Sequence, residues 1–97
     1  MCLSNLANSY RCIGQYEEAV QYYMRLLQDQ PDHFLGNAGL TATYSQMGRM
    51  EDARAQAAGL LRVDPKFSLE RYSKTLRYKN PADKERYIDA LRKAGLK

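Results

Sequence analysis

Sliding the chain against itself by 34 residues lays its first third on its second. Leu6 falls on Leu40, Tyr10 on Tyr44, Gly14 on Gly48, Glu17 on Glu51 and Ala19 on Ala53. Leu26 and Leu27 fall on Leu60 and Leu61, and Pro31 falls on Pro65. A period of this length restricts the chain to a stack of like units, because one unit cannot bury its apolar face alone.

Each unit reads as two helices. Leu3, Leu6, Ala7 and Tyr10 share one helical face at i, i+3, i+4 and i+7, which predicts a helix from Cys2 to Ile13. Gly14 stops it, since glycine takes the left-handed C′ conformation without a Cβ penalty. A second helix is predicted from Glu17 to Asp29. Ala19, Tyr22, Tyr23, Leu26 and Leu27 form its apolar stripe, and Glu17 and Glu18 suit the positive end of its dipole. Pro31 blocks continuation. The second unit repeats the design over Phe34 to Met47, Gly48, Glu51 to Val63 and Pro65. Small residues at Ala7, Ala19 and Ala53 let antiparallel helices approach closely. Gly36, Gly39 and Gly59 sit inside predicted helices at a cost of about 1 kcal/mol each relative to alanine, and close helix packing is the expected reason.

The 34-residue period and the segment NLANSYRCIGQYEEAVQYYMRLLQDQP closely resemble the tetratricopeptide repeat (TPR). Repeat one carries the pattern at Leu3, Leu6, Ala7, Tyr10, Gly14, Tyr16, Ala19, Tyr23 and Pro31. Repeat two carries it at Leu40, Tyr44, Gly48, Ala53 and Pro65, and departs from it at Asn37, Thr41, Met50, Ala57 and Leu60. The resemblance implies an all-α fold, a short right-handed TPR solenoid of antiparallel helix pairs. It divides a single domain of residues 1–97 into repeat one (1–33), repeat two (34–66) and a degenerate third pair that caps the array (67–97). In the last third, Ser68 is placed to cap a short helix carrying Leu69, Tyr72 and Leu76. Residues Tyr78 to Asn80 form a connector. Asn80 and Pro81 then read as N-cap and first turn of a helix with Tyr87, Ile88, Leu91 and Ala94 on its apolar face and Gly95 at its end. The tail NPADKERYIDALRKAGL is also similar to the C-terminus of bacterial TPR proteins that carry adenylate or guanylate cyclase domains. That likeness implies a regulatory segment of a larger signalling protein.

Composition removes several classes. Hydrophobic residues make up 44% and charged residues 27%, a globular balance. The longest stretch free of charged side chains, His33 to Gly48, is too short and too polar to span a membrane. No basic segment followed by an apolar run opens the chain. Cys2 and Cys12 lie about 15 Å apart along one predicted helix, beyond disulfide reach. The expectation is a soluble cytoplasmic domain.

Catalytic and cofactor chemistry find no footing. His33 is the only histidine and has no ligand cluster at metal spacing, so no metal site is expected and a turn role is. Cys12 lacks a neighbouring base, and no glycine-rich loop follows a strand, so neither an enzyme nor a bound cofactor is expected. Charge is uneven: the first third carries a net −2, the second +1 and the last +5. Aromatic and basic residues alternate in ERYSKTLRYKN, as on some single-strand nucleic-acid surfaces. The basic residues are nevertheless interleaved with acids, which favours a solvated helix surface over nucleic acid.

The TPR resemblance implies a protein or peptide segment as partner, bound on a concave face lined by the first helix of each pair. Its ligand-facing positions fall on Met1, Ser4, Asn8 and Arg11, then on Leu35, Ala38, Ala42 and Ser45, with Asn5, Cys12 and Gln46 beside them. Some co-chaperone TPR domains clamp a C-terminal carboxylate with lysine and asparagine. Ser4 stands where the first lysine would be and Gly39 where the second-repeat asparagine would be, so no such clamp is expected. Leu35, Ala38 and Ala42 make a small apolar surface suited to a helix. Helix one of repeat one has no preceding repeat to cover it, so self-association as a homodimer is an alternative use of the chain.

Overall fold

The computed structural model describes residues 3–76 and 81–97; the side chains of residues 3–5 also lie outside what it describes. Its helices are α1 (Leu3–Cys12), α2 (Tyr16–Asp29), α3 (Phe34–Gln46), α4 (Met50–Val63), α5 (Leu69–Thr75) and α6 (Pro81–Lys93). No strand occurs among the described residues. The fold is an all-α helical-repeat solenoid. The expected connector from Tyr78 to Asn80, with Asn80 as an N-cap, lies outside the described residues, as does Cys2.

The glycine stops form as the sequence demands. Gly14, Gly48 and Gly95 have φ of +85°, +82° and +102°, and they are the described residues with positive φ. Each closes a Schellman turn. The amide of Gln15 donates to Tyr10 O and that of Arg49 to Tyr44 O, both at 2.9 Å, and Leu96 N donates to Leu91 O at 3.2 Å. Ser68 caps α5 by accepting from the Arg71 amide at 3.3 Å. His33 caps α3: its Nδ1 accepts from the Gly36 amide at 3.0 Å. The expected turn role of His33 therefore has a definite content, the satisfaction of one orphan amide at a helix start.

The core runs through Ala7, Ala19, Tyr23, Leu40, Ala53 and Leu60, all fully or almost fully buried. Tyr44 is buried as expected. Tyr10 is only half-buried and stacks on Tyr22, with ring centroids 5.4 Å apart. Gly39 lies under the ring of Tyr23, and a Cβ there would sit 2.4 Å from Tyr23 Oη. Gly36 faces Leu26 and Leu27 at 3.0 and 3.1 Å. Both glycines thus serve close packing of α3 on α2. Gly59 does not: a Cβ there would meet only ordinary contacts, Arg62 Nη2 at 3.7 Å and Asn37 Oδ1 at 3.8 Å.

Helices α1 and α2, and α3 and α4, form antiparallel pairs, and α2 packs on α3 to join them. The last two helices do not form a third pair of the same kind. Helix α6 lies chiefly against α3 and only lightly against the seven-residue α5. The chain accordingly folds back on itself, with extents of 29 × 28 × 25 Å where an extended solenoid would be elongated.

Candidate functional site

The site is built around α3. This helix is buried from Gly36 to Ser45 without interruption, although its flanking positions are exposed or half-buried. A helix buried all round needs neighbours on every side. Gly36 and Gly39 face α2. Asn37, near Gly59, faces α4. The stripe of Ala38, Ala42 and Ser45, at i, i+4 and i+7, is on the remaining side, where α6 and, less extensively, α1 pack on α3; Ser45 Oγ also lies 3.9 Å from Met50 Sδ at the start of α4. Polar residues within this buried helix are satisfied locally. Thr41 Oγ1 donates to Asn37 O and Thr43 Oγ1 to Gly39 O, both at 2.8 Å. Asn37 Nδ2 donates to Pro31 O at 3.1 Å and to His33 O at 3.0 Å.

The buried side of α6 consists of Tyr87, Ile88, Ala90 and Leu91, and Ala94 and Leu96 continue it; Ile88 lies beside Leu69 and Ser73 of α5. The amide of Leu69 donates to Lys97 O at 2.8 Å, which fastens the tail to the start of α5. Tyr87 links repeat one to α5. The Arg11 guanidinium lies 4.4 Å from its ring centroid, a cation–π contact. Its hydroxyl shares a 2.8 Å hydrogen bond with that of Tyr72. Tyr72 in turn packs edge-on to Phe34, with centroids 5.2 Å apart, and beside Phe67 at 5.7 Å. The Tyr72 ring of the aromatic–basic stretch is thus engaged with other rings of the core edge.

Arg11 is 95% buried, an arrangement that costs free energy unless the charge is well accommodated. Its Nε donates to Tyr23 Oη at 3.4 Å, and Tyr23 Oη donates to Asn8 Oδ1. Arg11, Cys12, Tyr16, Gln46, Asp83 and Arg86 surround a cavity of about 30 Å³ where α1, α2, α3 and α6 meet. Gln46 Oε1 is buried and accepts no hydrogen bond from the described protein groups.

The positions that the resemblance assigns to a ligand are therefore divided. Arg11, Ala38, Ala42 and Ser45 are buried; α6 packs on α3, and its Tyr87 packs on Arg11. Asn8 and Gln46 are half-buried at the edge of that contact. Cys12, a free thiol, and Leu35 are exposed. Ser4 and Asn5 fall on α1, with side chains outside the described ones. Sequence reasoning missed Tyr87 and His33 as organising residues. Tyr87 was legible as apolar-face, but nothing in the pattern said which helix that face would meet.

Residues 14–77 match the family model of the tetratricopeptide repeat. The chain belongs to the tetratricopeptide repeat family. None of the curated proteins matches it. The TPR match takes in the first glycine stop, α2 to α5 and both prolines, and it ends before α6. Helices α1 and α6 are thus outside the part that carries the TPR signature. TPR repeats generally serve protein–protein interaction. Among the described residues no group of three or more histidine, cysteine or acidic side chains is arranged to hold a metal, and no helix is long and apolar enough to cross a membrane.

Proposed function

We propose that this chain is a non-catalytic interaction module that binds a segment of another protein on its concave face, the segment being helical. The observation that carries this reading is the stripe of Ala38, Ala42 and Ser45. It is flat and free of large side chains, and it accommodates a helix in this chain. A selection of displayed helical peptides against the full chain tests it. Binders whose affinity falls when Ala42 is enlarged to leucine support the reading, and a library that yields no binder counts against it. The tail at residues 80–96 supports a finer placement, as a cytoplasmic regulatory segment of a larger bacterial signalling protein.

Homo-oligomerisation is a second reading, favoured by a separate observation. Ile13 and Met24, on the acidic N-terminal third, are 67% and 52% exposed, while the last third carries the positive excess. Opposite ends of two copies are electrostatically complementary. Sedimentation equilibrium distinguishes the cases: a dimer that weakens with salt supports this reading, and a concentration-independent monomer removes it.

A further inference from the structure

We infer that α6 is an intramolecular stand-in for the partner helix, and that a partner presenting the same surface displaces it from α3. That surface is an aromatic residue with leucine four positions after it, as in Tyr87 and Leu91. The inference rests on the interaction reading above and adds the identity of the seat and of what fits it.

Four observations converge on it. First, α6 lies chiefly on α3 and Arg11, and its attachment to α5 is confined to the Tyr72–Tyr87 pair, the side of Ile88 and the Leu69–Lys97 backbone bond. Its attachment can therefore open without separating α1 to α4, whose pairwise contacts do not include it. Second, the TPR match ends before α6, so this helix, like α1 at the other end, lies outside the segment that carries the repeat signature. Third, the seat is imperfectly filled. Gln46 Oε1 is buried without a hydrogen bond beside Asp83 of α6, an arrangement that disfavours the closed form. Fourth, the ion pairs on the solvent-facing side of α6 among the described residues are local ones. Arg92 and Lys93 reach Asp89 at 3.9 and 3.4 Å, and Arg86 pairs with Asp83, all within α6.

A tethered helix competes with a free one at an effective concentration of roughly millimolar, so a partner in trans must outbid a weak but local rival. The apparent affinity is reduced by the fraction of chains whose seat is open, and weakening α6 restores it.

Native-state hydrogen exchange on the full chain is the first test. Amides from Ile88 to Lys93 are expected to exchange at least tenfold faster than those of α3 and α4, through an opening smaller than global unfolding. Equal protection in α6, α3 and α4 would overturn the inference. The second test titrates a labelled synthetic peptide of residues 81–97 into the full chain, followed by anisotropy. Leu91→Ala in the chain should raise the peptide's affinity tenfold or more, and the milder Ile88→Ala should raise it severalfold, with helicity checked by circular dichroism. A peptide carrying Leu91→Asp should not bind. Failure of the peptide to bind any of these chains overturns the displacement. If displayed helical peptides still bind while α6 keeps its protection, the interaction reading survives and this inference fails.

Discussion

Helices α1 and α3 occupy the same place in the 34-residue register and finish in nearly identical turns. Gly14 and Gly48 differ by 3° in φ, and Gln15 and Arg49, which precede the following helices, have φ, ψ of −88°, 74° and −86°, 71°. Their surroundings differ completely. Helix α1 packs on α2 and only lightly on α3, and Leu6 and Tyr10 are half-buried. Helix α3 is enclosed by α2, α4, α6 and, to a lesser extent, α1, and the aligned Leu40 and Tyr44 are buried. Local sequence sets where a helix stops, and the neighbours set how many of its faces are covered. The composition of α3 follows: glycine, alanine, serine and threonine occur on the sides where three helices must approach.

The sharpest way to break this comparison is to truncate its aligned leucines. Leu40→Ala should cost about 3–5 kcal/mol in urea unfolding, because a fully enclosed site cannot collapse around the lost atoms, whereas Leu6→Ala should cost about 2 kcal/mol or less. Equal costs would mean that the end of the array is covered in solution, and sedimentation would show by what. Next in size is Gly39→Ala. The new methyl meets the Tyr23 ring, and strain of about 1–3 kcal/mol should outweigh the gain in helix propensity. A lowered thermal midpoint checks it, and the double variant with Tyr23→Leu should recover part of the loss.

Gly14→Ala and Gly48→Ala probe what the two repeats share. Each forces a side chain into the left-handed region at about 1–2 kcal/mol, and the two costs should agree within error because neither site has a neighbour within 4 Å. The smallest effect has the opposite sign. Gly59→Ala meets no clash in the interior of α4 and should stabilise the chain by about 0.5–1 kcal/mol in the same unfolding assay.

Much of the fold was legible because its signals are local. Gly14, Gly48 and Gly95 stop helices where expected, Ser68 caps α5, and each predicted helix end from α2 to α4 falls within one residue of the observed one. Gly36 and Gly39 were legible as packing glycines, but Gly59 has the same sequence context and no tight neighbour. The candidate site was read less well. Ala38 and Ala42 were placed correctly on one stripe, yet a row of small residues looks the same whether it is an open groove or a floor under another helix. The alternation of tyrosine and basic residues near Tyr72 likewise could not say that the ring would turn toward Phe34 and Tyr87.

By itself, the sequence determined the helices, their stops, the 34-residue repeat and the family, because each depends on residues within a turn or two of one another or on a register that slides along one chain. Only the tertiary structure decided that α6 crosses back onto α3, that Arg11 lies beneath Tyr87, and that four of the positions assigned to a ligand are buried. The reason is that an amphipathic helix states how much surface it must bury and on which side. It does not state against what. That choice is made among all the apolar faces in the molecule at once, and here α3 had one face left uncovered by α2 and α4.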